Sequence, residues 1–98
     1  MTIVNILAAQ GFEVEGGGAG CRLLSRSLPN GSVVWVTVQN GDDVPTWGDW
    51  MICAYPADWD GAPETRLFDA YADDSVFGLI DAVEAAIDAA NASGSATV

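Results

Sequence analysis

The segment Pro29-Asn30-Gly31-Ser32 constrains the fold more than any other part of this chain. Proline sits badly inside a sheet ladder, and Asn-Gly accepts the positive φ that tight hairpin turns need. On either side lie runs that read as strands, 21–28 and 33–38. Strands joined this closely are antiparallel, because a parallel pair needs a crossover of a dozen or more residues. In the second run Val34, Val36 and Val38 share one face, and Val33, Trp35 and Thr37 share the other. Both faces are rather apolar, which predicts a central strand. Trp35 and Trp50 fall inside strands and are expected in the core.

The remaining elements follow from periodicity. Thr2 is placed to cap a short helix to about Gln10, with Ile3, Ile6, Leu7 and Gln10 at helical spacing and Gly11 suited to end it. Phe12–Glu15 alternates apolar and acidic residues, as a half-buried strand does, before the turn Gly16-Gly-Gly-Ala-Gly20. That glycine run lacks the Lys-Ser/Thr ending of a phosphate loop. Trp50–Tyr55 predicts a further strand, and Glu64–Asp69 a weaker edge strand. An amphipathic helix is predicted from about Ser75 to Asn91, capped by Asp74 or Ser75. Its expected buried stripe is Val76, Ile80, Val83 and Ile87, helped by Leu79 and Ala90. The order helix, four or five strands, helix predicts an α+β two-layer sandwich. Its antiparallel sheet would carry the N-terminal helix and the longer C-terminal helix on one face. A single domain is expected over 1–92, with a flexible tail over 93–98.

Charge is distributed unevenly along this pattern. The first 38 residues sum to zero, and the rest carry twelve acids against one base, Arg66, giving the whole net charge of -11. The chain has no histidine, and its three basic residues are all arginine. Such a surface repels nucleic acid and anionic membranes and attracts basic protein surfaces. Four Trp, three Phe and two Tyr, with runs such as Val33–Val38, argue for a folded core under an acidic skin rather than for disorder.

Several function classes are excluded or weakened. General acid–base work at neutral pH most often uses histidine, lysine chemistry has no residue to use, and Ser25, Ser27, Cys21 and Cys53 have no evident base. A non-enzyme is therefore expected, without cofactor. Neither cysteine has a second ligand at zinc spacing. Asp58-Trp-Asp60-Gly61-Ala-Pro-Glu64 lacks the ligand set of a calcium loop, whose Glu stands six residues after its Gly, so no metal is expected. Met1–Leu7 has no basic n-region or cleavage site, and no apolar stretch approaches a membrane span. The expectation is a cytoplasmic protein with reduced, buried thiols; whether Cys21 and Cys53 pair stays open.

Two groups of residues are candidates for partner binding. On the terminal helix Asp81, Glu84 and Asp88 fall at i, i+3 and i+7, opposite the apolar stripe, with no base nearby on the helix. Glu84 and Asp88 form a like-charge i,i+4 pair, costing a few tenths of a kcal/mol. Asp88 is also expected near the helix C-terminus, where the dipole disfavours an anion. Successive acids are offset by ~4.5 and ~6 Å along the axis, the scale of the ~3.4 Å advance per phosphate on a DNA strand. Asp74, at the expected start of the helix, is a further partner-binding candidate. The second group lies in two long loops: Asp42, Asp43 and Trp47 in the first, Asp58, Trp59 and Asp60 in the second. Indole rings supply buried area and the neighbouring carboxylates supply steering. The alternative for Trp47 and Trp59 is to fold back over the core.

By its length, its lack of Lys and His and its acidic stretch Asp42–Asp88, the chain resembles the small acidic proteins encoded by phages and other mobile elements, the anti-CRISPR proteins in particular. The resemblance is one of class; those proteins share no common motif, so it assigns no residue a role. It implies a DNA mimic that occupies a Lys/Arg-lined surface of a CRISPR effector subunit in a host bacterial cytoplasm and blocks target DNA without catalysis. Two other classes stay open. One is an immunity protein or antitoxin covering the basic site of a nuclease. The other is a phage accessory module that oligomerises. Either monomer or homodimer is compatible, since the Val33, Trp35 and Thr37 face has no assigned cover.

Overall fold

The computed structural model describes residues 2–16, 22–39, 44–45, 48–57, 66–72 and 78–95. Two helices and five strands follow in the order α1 (Ile3–Ala9), β1 (Glu13–Gly16), β2 (Arg22–Ser27), β3 (Val33–Val38), β4 (Trp50–Tyr55), β5 (Phe68–Tyr71) and α2 (Leu79–Ser95). The strands form one antiparallel sheet in sequence order, β1-β2-β3-β4-β5, with β3 at its centre. The fold is α+β.

Local chemistry accounts for the element ends. Thr2 caps α1 through its hydroxyl, which accepts from Asn5 N at 3.2 Å. Gly11 follows with φ 91, the left-handed conformation that suits the residue after a helix. The Arg26 guanidinium on β2 donates to the Gln10 carbonyl at 2.9 Å and so satisfies a group the helix end leaves over. The β2–β3 connection is a turn in which Gly31 N donates to Leu28 O at 2.9 Å, with Pro29 and Asn30 at the central positions. Gly31 then takes φ 90, and Leu28 N donates to Ser32 O at 2.9 Å. This is a three-residue loop closed by a left-handed glycine rather than a two-residue Asn-Gly turn.

Register sets what each face of the sheet presents. One cross-strand row runs Val14, Leu24, Val36, Ile52, Ala70, and the next runs Arg26, Val34, Ala54, Phe68. Leu24, Val34, Val36, Ile52, Ala54 and Ala70 join Ile3, Leu7, Phe12 and the α2 residues Leu79, Ala82, Val83, Ala86 and Ala90 in one buried cluster. Ala82, Ala86 and Ala90 stand one turn apart and are fully buried, so small side chains let α2 lie close on β4 and β5.

Three expectations are corrected. The edge strand is Phe68–Tyr71, not Glu64–Asp69: Leu67, Phe68 and Ala70 pack against or within the core, whereas Glu64 lies outside the described residues. α2 begins at Leu79, four residues later than expected, and runs to Ser95; Asp74, Ser75 and Val76 lie outside the described residues. Ile80 is not in the buried stripe: at 38% exposure it sits on the flank of the helix. The alanine row and Val83 point at the sheet, and a helix of 100° per residue then turns Ile80 aside.

Candidate functional site

α2 carries the first candidate. With Leu79, Ala82, Val83, Ala86 and Ala90 against the sheet, the 3.6-residue repeat turns Asp81, Glu84 and Asp88 to the opposite side, and all three are exposed. None of the three forms an ion pair among the described residues. Asp81 lies in the first turn, the favourable end of the helix dipole. Because the helix continues to Ser95, Asp88 stands about two turns from its end and escapes the dipole penalty expected for it. The like-charge pair Glu84 and Asp88 remains.

Two of the three arginines are engaged elsewhere. Arg26 is spent on the Gln10 carbonyl. Arg66 lies on the opposite side of the sheet from α2, donating from Nη1 to Cys53 Sγ at 3.6 Å. The α2 carboxylates are therefore not neutralised by these two cations.

The loop candidates Asp42, Asp43, Trp47, Asp58, Trp59 and Asp60, like Asp74, lie outside the described residues. Their frames are nonetheless set. Gln39 N donates to Asp49 O at 2.9 Å where β3 leads into β4, and Leu67 N donates to Ala54 O at 2.8 Å where β4 leads into β5. In an antiparallel meander these two connections leave the sheet at opposite ends. The β2–β3 turn shares the β4–β5 end, as a Cβ built on Gly31 would stand 2.9 Å from Ala57 Cβ.

A second surface was only partly legible in the sequence. On the sheet face away from the core cluster, one row crosses all five strands: Glu13, Ser25, Trp35, Cys53, Asp69. A neighbouring row holds Val33 and Tyr55, and another holds Thr37, Met51 and Tyr71. Trp35 is thus a correction: it is partly exposed and outside the core cluster, whereas Trp50 is inside it at 3% exposure. Both tryptophans lie in neighbouring strands, but register puts them on opposite faces, because Trp50 pairs with Val38 and Trp35 with Cys53. Trp35 and Tyr55 meet edge to face with ring centroids 5.2 Å apart. Cys53 is a free thiol, 2% exposed, under these rings and the Arg66 guanidinium. Burial and the adjacent Cys53 push the Tyr55 hydroxyl up to about 12. Tyr71 donates to Asp69 Oδ2 at 3.2 Å, and burial followed by that bond raises its pKa as well. The two faces of β3 were visible in the sequence, but the row needs the register of four strand pairs.

Among the described residues no three His, Cys, Asp or Glu side chains are placed to hold a metal ion, and no helix is long and apolar enough to cross a membrane. Compared with protein-family models, curated proteins and solved structures, the chain matches none.

Proposed function

We propose that this chain is a non-catalytic acidic inhibitor that docks on a basic, nucleic-acid-binding surface of another protein, in the manner of an anti-CRISPR protein on a CRISPR effector. The observation that carries the reading is the row Asp81, Glu84 and Asp88: exposed, on the side of α2 opposite its buried stripe, and without an ion pair among the described residues. A helix serving only solubility would interleave lysines. A net charge of -11 steers the chain toward cationic surfaces and away from nucleic acid itself. In this reading both helices cover one face of the sheet as a two-layer sandwich, which holds the acidic row rigid, and the chain acts in a bacterial cytoplasm without cofactor. An immunity protein on a basic nuclease site would use the same physics.

The test is an electrophoretic assay of target-DNA binding by purified CRISPR effectors and by basic nucleases, with this protein added at ~50 and ~200 mM salt. Added protein is expected to displace DNA from one of them, and far less at the higher salt, because screening over ~8 Å reaches exposed charges. Changing Asp81→Asn, Glu84→Gln and Asp88→Asn together should slow association about tenfold or more. Circular dichroism should report the fold unchanged. Inhibition that survives the triple change in a folded protein removes α2 from the interface. Displacement from a nuclease alone assigns the immunity role instead.

A further inference from the structure

We propose that the free edge of β1 is a second recognition site, which takes an extended segment of the basic partner as an added antiparallel strand, with Lys or Arg opposite Glu13 and Glu15 and an apolar residue opposite Val14. The proposal rests on the reading of the protein as a binder of basic surfaces, but it uses a different part of the molecule from the α2 row.

Backbone geometry defines what the edge offers. Leu28 N donates to Ser32 O, one step beyond the β2–β3 ladder, so the even-numbered residues of β2 bond to β3 while Leu23 and Ser25 bond to β1. Their partners Glu15 and Glu13 therefore turn N–H and C=O inward, and Val14 and Gly16 turn theirs outward. Phe12 N has the outward direction too, but Leu7 O accepts from it at 3.0 Å, so the open run begins at Val14. Among the described residues no hydrogen bond reaches the outward groups of Val14 or Gly16. Val14 is 47% exposed although it ends the row of Leu24, Val36 and Ile52, which are fully buried, so the core layer stops short of β1.

Side chains select the occupant. Glu13 and Glu15 are exposed on one face of β1 and Val14 on the other. Neither carboxylate forms an ion pair among the described residues. Arg22 and Arg26 of β2 lie in rows of the Val14 face, away from both acids, and Arg26 donates to the Gln10 carbonyl. A strand laid along this edge places side chains directly across from Glu13 and Glu15, where opposite charges stabilise the pair and like charges oppose it. Main-chain bonds from Val14 and Gly16 hold the strand, and the alternation of cation, apolar residue and cation selects it. A second copy paired here about a two-fold at Val14 would set Glu13 of each chain against Glu15 of the other, between molecules of charge -11. The same acids thus guard the edge against self-pairing. At the opposite edge Asp69 accepts from the Tyr71 hydroxyl, and Arg66 precedes the strand and reaches Cys53, so β5 attracts a cation less.

The test is a titration of isotope-labelled protein with a short blocked peptide that alternates lysine and valine, at ~20 mM salt, where screening is weak. Amide NMR shifts are expected at residues 13–16, and the Val14 amide, fast to exchange in the free protein, should become protected. Methylating the main-chain nitrogens of the valines keeps the peptide's charge but blocks the groups that face β1, and should weaken binding about tenfold or more. Methylating those of the lysines, which face away, should change affinity by about twofold or less. Glu13→Gln with Glu15→Gln should weaken the unmodified peptide about three- to tenfold. Asp81→Asn, Glu84→Gln and Asp88→Asn together should leave the shifts at residues 13–16 in place. Shifts that spare residues 13–16, equal affinity for the valine-methylated peptide, or no binding at all overturn the proposal and leave the α2 reading to its own DNA assay. Edge shifts as expected, with no displacement of DNA from any effector or nuclease, overturn the α2 reading and keep the β1 edge as a site for basic strands. Dimerisation by sedimentation velocity, with Val14 protected in the dimer, assigns the edge to a second copy and overturns the proposal too.

Discussion

Asn30, in the turn between β2 and β3, donates from Nδ2 to the carbonyl of Ala90 on α2 at 2.8 Å, across sixty residues of sequence. The same side chain accepts from Ser32 N at 3.0 Å and from the Ser32 hydroxyl. Ser32 is buried, and its hydroxyl also lies 3.4 Å from the Ala90 carbonyl. One amide therefore shapes the turn from within and fastens the terminal helix to it. Because α2 runs from the β3–β4 end of the sheet toward this turn, the contact fixes where along the sheet the acidic row stands.

Asn30→Ala removes a donor and an acceptor at once and leaves the buried Ser32 N–H and hydroxyl with fewer partners. The expected loss is about 1–3 kcal/mol in urea unfolding. The m-value should hold, since the native surface is unchanged. A loss within ~0.3 kcal/mol would mean that the amide only decorates the turn.

The two left-handed glycines differ in what surrounds them. A Cβ on Gly11 would make ordinary contacts with Arg26 at 3.5 Å, whereas on Gly31 it would stand 2.9 Å from Ala57 Cβ. Gly11→Ala should therefore cost only the backbone penalty, about 1–2 kcal/mol, and Gly31→Ala measurably more. Equal midpoints in parallel thermal melts would contradict this.

The buried stripe of α2 predicts a contrast between neighbours. Val83 is fully buried and Ile80 is 38% exposed. Val83→Ala should cost about 2 kcal/mol, while Ile80→Gln should fall within ~0.5 kcal/mol of the parent. The reverse order, by chemical denaturation, would restore the stripe read from periodicity alone.

Tyr55 sets a pH dependence. Its folded pKa is pushed up to about 12, above the ordinary value of 10 that applies in the unfolded chain. The native state keeps a proton that the unfolded state releases, so this contribution is whole below pH 10 and is lost as pH rises from 10 to 12. Ultraviolet titration should show one tyrosine ionising near the upper end of that window, and Tyr55→Phe should remove it. A single transition at pH 10 for both tyrosines would show that the ring is open to water.

Much of the architecture follows from local chemistry. Thr2 and Gly11 bound α1, Pro29-Asn30-Gly31 makes the hairpin, and the bounds of β3 and β4 coincide with their apolar runs, because caps, turn residues and alternation act over a few positions. The carboxylates of Asp81, Glu84 and Asp88 share a side of α2 for the same reason: a helix of fixed pitch puts them there.

Tertiary structure alone decided the rest. Which tryptophan enters the core depends on register, since a shift of one residue exchanges the faces of a strand. Whether α2 buries Ile80 or its alanines depends on how closely a sheet of Ile52, Ala54 and Ala70 lets it approach. The row from Glu13 through Trp35 to Asp69 draws one residue from each of five strands, and only the pairing of the whole sheet sets them side by side.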